Sequence, residues 1–181
     1  SKKSVKKQKV KDENIFQLSE VGSHEEIKIS TGIEEFDRVL GGGIIIGSVV
    51  LIGGDPGIGK STLVMQAASS TKAKILYVTG EESVKQINLR AQRLNVDEEN
   101  IYLLSETDID IITSAIDKLK PEVVIIDSIQ TMYKPEYDNA PGTVTQIREC
   151  TNYLMSLAKT LNFSVILIGH VTKEGNLAGP R

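Results

Sequence analysis

Gly54-Asp55-Pro56-Gly57-Ile58-Gly59-Lys60-Ser61 follows the apolar run Val49-Val50-Leu51-Ile52 and leads into Thr62-Leu63-Val64-Met65. The spacing Gly-x-x-x-x-Gly-Lys-Ser lets successive backbone N–H groups converge on a phosphate, and a helix starting at the lysine adds the positive end of its dipole. In such a loop Lys60 reaches the β- and γ-phosphates of a nucleotide, and the hydroxyl of Ser61 ligates Mg²⁺. A glycine turn with a purely structural role does not require a strand before it and a helix after it. The motif therefore predicts a binding loop made of Gly54, Asp55, Pro56, Gly57, Ile58, Gly59, Lys60, Ser61 and Thr62, with ATP and Mg²⁺ as cofactors.

Outward from this loop, apolar β-branched runs alternate with amphipathic stretches. Strands are predicted at 49–52, 75–79, 101–104, 123–127 and 164–169, and helices at 60–70, 84–94, 109–118 and 143–161. The runs 49–52, 123–126 and 165–168 are apolar throughout rather than alternating, so each is expected to be buried on both faces, as in a parallel sheet sandwiched by helices. Upstream, Ile27 and Ile29 alternate with Lys28 and Ser30 as a short strand does. Thr31 and Glu34 have capping-box spacing for a helix running to Leu40, and Gly41-Gly42-Gly43 ends it. Six lysines fall within 1–11, with little apolar periodicity before 25. Residues 1–24 thus read as a lysine-rich tail or linker, and 25–181 as the folded core.

The totals narrow the choice of function. A chain of 181 residues with 40% apolar content suits one compact α/β domain. Its net charge of −3 gives no overall reason to bind a polyanion, so any nucleic-acid site must be a local patch. The single cysteine, Cys150, rules out an internal disulfide and a cysteine-based zinc module within this sequence, and reads as a packed core thiol. No apolar run approaches the roughly 20 residues that span a bilayer, so no membrane partner and a cytoplasmic location are expected.

Three further positions bear on chemistry. The strand Val123-Val124-Ile125-Ile126 ends in Asp127, placed to hold a metal-bound water and complete the Mg²⁺ shell of Ser61. The strand Leu76-Tyr77-Val78-Thr79 is followed by Glu81 and Glu82; Glu81 is the candidate base that orients the attacking water, with Lys60 and Glu82 in support. The alternative is a solvated acidic pair opening the next helix. His170, at the end of the strand 164–169, is a candidate γ-phosphate sensor or else a structural histidine. Arg90 and Arg93 are candidates for the base pocket, with a solvated helix face as the competing reading.

With these pieces located, the sequence resembles the bacterial RadA/Sms recombination ATPases, relatives of RecA and of DnaB-type ring helicases. The likeness rests on 30–43 (Ser30-Thr31-Gly32-Ile33-Glu34-Glu35-Phe36-Asp37 through Gly41-Gly42-Gly43), on 53–62, on Val78-Thr79-Gly80-Glu81-Glu82-Ser83, on Asp127-Ser128-Ile129-Gln130-Thr131, on 140–150 (Ala140-Pro141-Gly142-Thr143-Val144-Thr145-Gln146 through Cys150), and on Gly169-His170-Val171-Thr172-Lys173-Glu174-Gly175. The first two blocks also occur in KaiC-like ATPases. The resemblance implies a RecA-like P-loop NTPase fold, a mostly parallel twisted sheet with helices on both faces. It also implies an ATP hydrolase that translocates on single-stranded or branched DNA in recombinational repair, as a homo-oligomeric, hexameric ring with a recombinase or helicase partner. The DNA-facing loops would be 133–142 and 172–181, with Lys134, Lys173 and Arg181 as phosphate contacts. Family members usually carry a four-cysteine zinc module before this core, and a Lys-Asn-Arg-Phe-Gly motif and a Lon-like domain after it, so the sequence is expected to be the ATPase-core part of such a protein. The alternative function is a KaiC-like nucleotide-controlled switch with a protein partner.

Overall fold

The computed structural model describes residues 15–20, 28–30, 34–54, 59–96 and 99–170. Five parallel strands form the central sheet: β3 (Val49–Gly54), β4 (Ile75–Thr79), β5 (Ile101–Ser105), β6 (Val123–Asp127) and β7 (Ser164–His170). Their spatial order is β3-β7-β6-β4-β5. Four helices connect them: α2 (Lys60–Ser70), α3 (Val84–Arg93), α4 (Ile109–Leu119) and α5 (Val144–Leu161). Ahead of the sheet, β1 (Lys28–Ile29) pairs antiparallel with β2 (Ile44–Ile45) around the short helix α1 (Glu34–Val39). Thr31, the expected cap of that helix, lies outside the described residues, as do 1–14 and 21–27, most of the expected tail.

The period-2 alternation of the strands sorts two cores. On one face Leu76, Val78, Val124, Ile126, Val165 and Leu167 pack with Ile112 and Ile116 of α4 and Cys150 and Leu154 of α5. On the other, Ile75, Tyr77, Val123, Ile125, Ile166 and Ile168 pack with Val64 and Met65 of α2 and Ile87 of α3. Each fully buried aliphatic side chain contributes about 1.5–3 kcal/mol, so this two-sided burial is what holds the sheet between its helices. Helix starts follow local chemistry: Ser83 and Gln86 form a reciprocal capping box, and Asp108 and Thr143 cap α4 and α5. Lys120 and Asn162 close α4 and α5 in left-handed conformation.

The expectation of two-sided burial holds for 123–126 and 165–168, but not for 49–52. β3 pairs only with β7 among the described residues, and Leu51 is 52% exposed. An unbroken apolar run signals a strand with hydrophobic neighbours on both faces, yet it does not distinguish a central strand from one at the border of the described sheet.

Because all five strands run the same way, their C-terminal ends share one edge, where ligands of open α/β sheets bind. β7 separates β3, which feeds the glycine loop, from β6, which ends in Asp127; β4, with the loop 80–82, flanks β6 on its other side. Close approach fixes this spacing at Gly80, whose N–H donates to the Asp127 carbonyl at 2.9 Å. A Cβ there would lie 1.9 Å from Thr131 Oγ1 and 2.6 Å from Thr131 Cβ. Gly80→Ala is therefore expected to destabilise the fold by about 1–3 kcal/mol, read from the urea midpoint, and Thr131→Gly in the same chain should recover most of the loss.

Candidate functional site

The glycine loop enters α2 through Gly59, whose left-handed backbone (φ 76°) caps the helix without a side chain. This leaves the first N–H groups of α2 without a side-chain cap. Asp55, Pro56, Gly57 and Ile58 lie outside the described residues; Gly54, Gly59, Lys60, Ser61 and Thr62 are described. Lys60 Nζ donates to the Gly54 carbonyl at 2.7 Å, so its ammonium turns back to the last residue of β3. One residue on, Ser61 Oγ donates to Asp127 Oδ2 at 2.6 Å across 66 residues of sequence.

Asp127 is reached from a second side. The Tyr77 hydroxyl donates to the same Oδ2 at 2.5 Å. Burial, then the charge of Asp127 and this hydrogen bond, push the Tyr77 phenol far above its ordinary range, so it stays a neutral donor. The peptide bond between Asp127 and Ser128 is cis.

Beyond β4, Thr79 Oγ1 donates to the Glu82 carbonyl at 3.0 Å and accepts from the Glu82 N–H at 3.1 Å. Arg90 Nη1 holds the Glu82 carboxylate at 2.8 Å. Burial pulls the Arg90 guanidinium down, but the bond and charge of Glu82, with the charge of Asp127, outweigh it and leave it raised. Glu82 is thus tied down while Glu81 stands exposed beside it. Arg90 is not on a solvated face: α3 turns it partly inward, against the Glu82 carboxylate, while its Nε and Nη2 are buried without a partner among the described residues. Arg93 lies on the exposed side of α3.

His170, half-buried, ends β7 between the strands of the glycine loop and Asp127. Its carbonyl accepts from Gln130 Nε2 at 3.1 Å and its N–H donates to Gln130 Oε1 at 3.4 Å, an amide-like pairing between β7 and the turn Ile129–Thr131. Its Nδ1 is buried with no partner.

The segment 133–142 departs from the expected DNA-facing loop in one respect. Lys134 is not available to a phosphate: its Nζ sits 2.9 Å from Asp110 Oδ1, 3.3 Å from Glu136 Oε1 and 4.0 Å from the centre of the Tyr153 ring. A lysine flanked by two carboxylates and an aromatic face is neutralised where it lies. Burial lowers the Lys134 ammonium, yet the hydrogen bonds to Asp110 and Glu136 outweigh this and raise it. Nearby, the fully buried Gln146 side chain accepts from Lys134 N and donates to the carbonyls of Lys134, Tyr137 and Asn139. Residues 172–181, the second expected DNA loop, lie outside the described residues.

Four residues here escaped the reading of the sequence: Tyr77, Gln130, Gln146 and the Glu82 partner role of Arg90. A tyrosine inside the strand Ile75-Leu76-Tyr77-Val78-Thr79 was a signal, since a buried phenol needs a hydrogen-bond partner. The glutamines carried no sequence signal, because their partners are backbone groups brought close only by folding.

Among the described residues no group of three or more His, Cys, Asp or Glu side chains is placed to hold a metal. One hydroxyl and one carboxylate fit Mg²⁺, which is bound with few protein ligands and takes the rest from phosphates and water.

A family model described as an AAA domain matches residues 17–176. The chain belongs to the AAA domain family. Relatives of this AAA domain include the DNA repair protein RadA of Bacillus subtilis (strain 168), 51% identical over 91% of this chain and 36% of that protein. RadA of Listeria monocytogenes is 49% identical over the same shares, and RadA of Streptococcus pneumoniae 51% identical over 92% of this chain and 40% of that protein. The chain thus spans somewhat over a third of the length of the curated relatives it matches. The resemblance to RadA/Sms proteins is borne out, and the parallel sheet with helices on both faces is that of a RecA-like P-loop domain. No helix among the described residues is long and apolar enough to cross a membrane.

Two outcomes follow for this region. Gln146→Ala leaves four backbone groups of the loop 133–142 without their bonds to a buried amide, and should cost about 2–4 kcal/mol with much faster hydrogen exchange at Lys134. Cys150 is buried and unpaired, and burial first, then the Glu149 charge, push its thiol up to about 12. A group raised on folding adds stability below its unfolded value and loses it as pH climbs toward the folded one. Stability should therefore fall between about pH 9 and 12 by more in the native chain than in Cys150→Ala, in pH-dependent urea melts.

Proposed function

We propose that this AAA domain binds Mg²⁺ and ATP at the glycine loop and hydrolyses the γ-phosphate as the motor core of a DNA-repair ATPase. The observation that carries this reading is the 2.6 Å contact between Ser61 and Asp127, which brings the start of α2 and the end of β6 to one point. In the proposed site Lys60 would leave the Gly54 carbonyl to pair with the β- and γ-phosphates, and Ser61 and Asp127 would be the residues that hold the metal. Bound there, Mg²⁺ would neutralise charge on the phosphate oxygens. Glu81, exposed and one residue from the anchored Glu82, would orient a water for in-line attack on the γ-phosphorus and accept its proton as the bond to the β–γ bridging oxygen breaks. Glu82, held by Arg90 and Thr79, fixes the backbone from which Glu81 projects. His170, between the two strands, would sense the γ-phosphate.

Similarity to proteins named for DNA repair favours single-stranded or branched DNA as the partner over a protein-partnered switch. The first DNA-facing loop, 133–142, would then act through backbone and polar groups rather than Lys134, and the second, 172–181, through Lys173 and Arg181. Assembly into a homo-oligomeric ring, a recombinase or helicase partner and a bacterial cytoplasmic setting complete the proposal.

Lys60→Ala is expected to weaken Mg²⁺–ATP binding by at least about tenfold while the thermal midpoint stays within a few degrees. Glu81→Gln should keep ATP binding and lower phosphate release by roughly 10²–10⁴-fold; undiminished release would move the base to another residue. For the DNA reading, single-stranded DNA added to a chain of the relatives' full length should raise phosphate release, with a stimulation that falls steeply with salt. A wild-type chain that binds no nucleotide in Mg²⁺ would sink the whole reading.

A further inference from the structure

We infer that Tyr77 is a positioning residue for the metal-binding carboxylate: its hydroxyl stays on Asp127 Oδ2 when the Ser61 hydroxyl leaves, and so fixes the plane in which Asp127 meets a metal-bound water. The inference rests on the nucleotide and metal reading proposed above.

Placement comes first. Tyr77 lies on β4 opposite Ile125 of β6, and Thr79 lies opposite Asp127, so strand alternation puts Tyr77 and Asp127 on the same face of adjacent strands. Tyr77 is fully buried. The buried cluster around it consists of Ile44, Val64, Met65, Ala68, Ala73, Ile75, Ile87, Val96, Val123, Ile125, Ile166 and Ile168, and Tyr77 alone among these described residues carries a hydrogen-bond donor on its side chain. Phenylalanine would fill this volume without a polar atom to satisfy. The phenol is useful at this position through its polar contacts, which are Asp127, to which it donates, and the neighbouring Ser61 hydroxyl.

The two hydroxyls on Oδ2 differ in freedom. The Ser61 hydroxyl sits on a single rotor at the first turn of α2 and turns away with one torsion. The Tyr77 oxygen is fixed by a ring packed among aliphatic side chains, and only its proton rotates. When Ser61 turns to a metal ion, Asp127 retains one donor on Oδ2 and presents Oδ1 in a set direction. The Arg90 guanidinium lies near enough for its charge to act on both Tyr77 and Asp127 and is itself held by Glu82, so the same cluster borders the Glu81–Glu82 loop.

The test is a Mn²⁺ titration of the complex with a non-hydrolysable ATP analogue, read by the electron paramagnetic resonance of free Mn²⁺, for wild type and Tyr77→Phe. Loss of an outer partner of a ligating carboxylate weakens metal affinity by about 10–100-fold. Tyr77→Phe should therefore hold Mn²⁺ roughly tenfold more weakly, while binding of the analogue in excess chelator is unchanged. Equal Mn²⁺ affinity in the two proteins overturns the inference and leaves the site reading standing. A wild-type chain that holds no Mn²⁺ beside nucleotide overturns the site reading and this inference together. Should Tyr77→Phe fail to fold, 3-fluorotyrosine placed at 77 supplies a second readout. Its fluorine resonance should move when Mg²⁺ joins the nucleotide complex, and a resonance that stays in place overturns the inference.

Discussion

A carboxylate at the end of an apolar strand is the constraint around which this domain is arranged. β6 is buried along Val123-Val124-Ile125-Ile126, and the charge of Asp127 emerges where that burial ends. A carboxylate in such surroundings needs donors, and it takes two on one oxygen, from Ser61 and Tyr77. The first ties the start of α2 to the sheet edge. The second ties that edge to β4, in the layer beneath α3. Elements that share no sequence neighbourhood are thus referred to one atom, which is the kind of preorganisation that an ion-dependent site needs.

The same edge contains one anchored and one exposed acid. Glu82 has its backbone on Thr79 and its carboxylate on Arg90, so the loop 80–82 has little freedom, and Gly80 lets that loop sit directly against Thr131. A side chain projecting from a rigid loop keeps its direction with less loss of entropy when it meets a reactant. The pairing of Arg90 also gives α3 a part in this edge, since the helix supplies the cation that anchors the loop.

Much of this was legible before folding was considered. Continuous apolar runs located β6 and β7, Gly54–Ser61 located the loop, and Asp127 followed from its place at a strand end. What was not legible has a common cause. Lys134 reads as a free cation although Glu136 stands two residues on; its nearer carboxylate, Asp110, and the Tyr153 ring come from α4 and α5 and could not be placed from the sequence. Gln146 reads as one more polar residue of an amphipathic helix, and only the fold places the carbonyls of Lys134, Tyr137 and Asn139 around its amide. The border position of β3 was hidden for the opposite reason, since hydrophobic content reports what covers the faces of a strand and not what pairs with its edge.

β7 has the position from which events at the site are best passed on. It lies between the strand feeding the glycine loop and the strand ending in Asp127, and its last residue, His170, is paired through its backbone to Gln130. Gln130 belongs to the turn Ile129–Thr131 just beyond Asp127, so two hydrogen bonds add to the β6–β7 ladder in joining the carboxylate strand to the C-terminal end of β7. The partnerless Nδ1 of His170 leaves the imidazole able to take a new acceptor or donor without first breaking an old bond. On the proposed reading, a γ-phosphate engaged by His170 and a metal held by Asp127 would therefore act on the same short joint, and the segment beyond residue 170 would receive both signals at once.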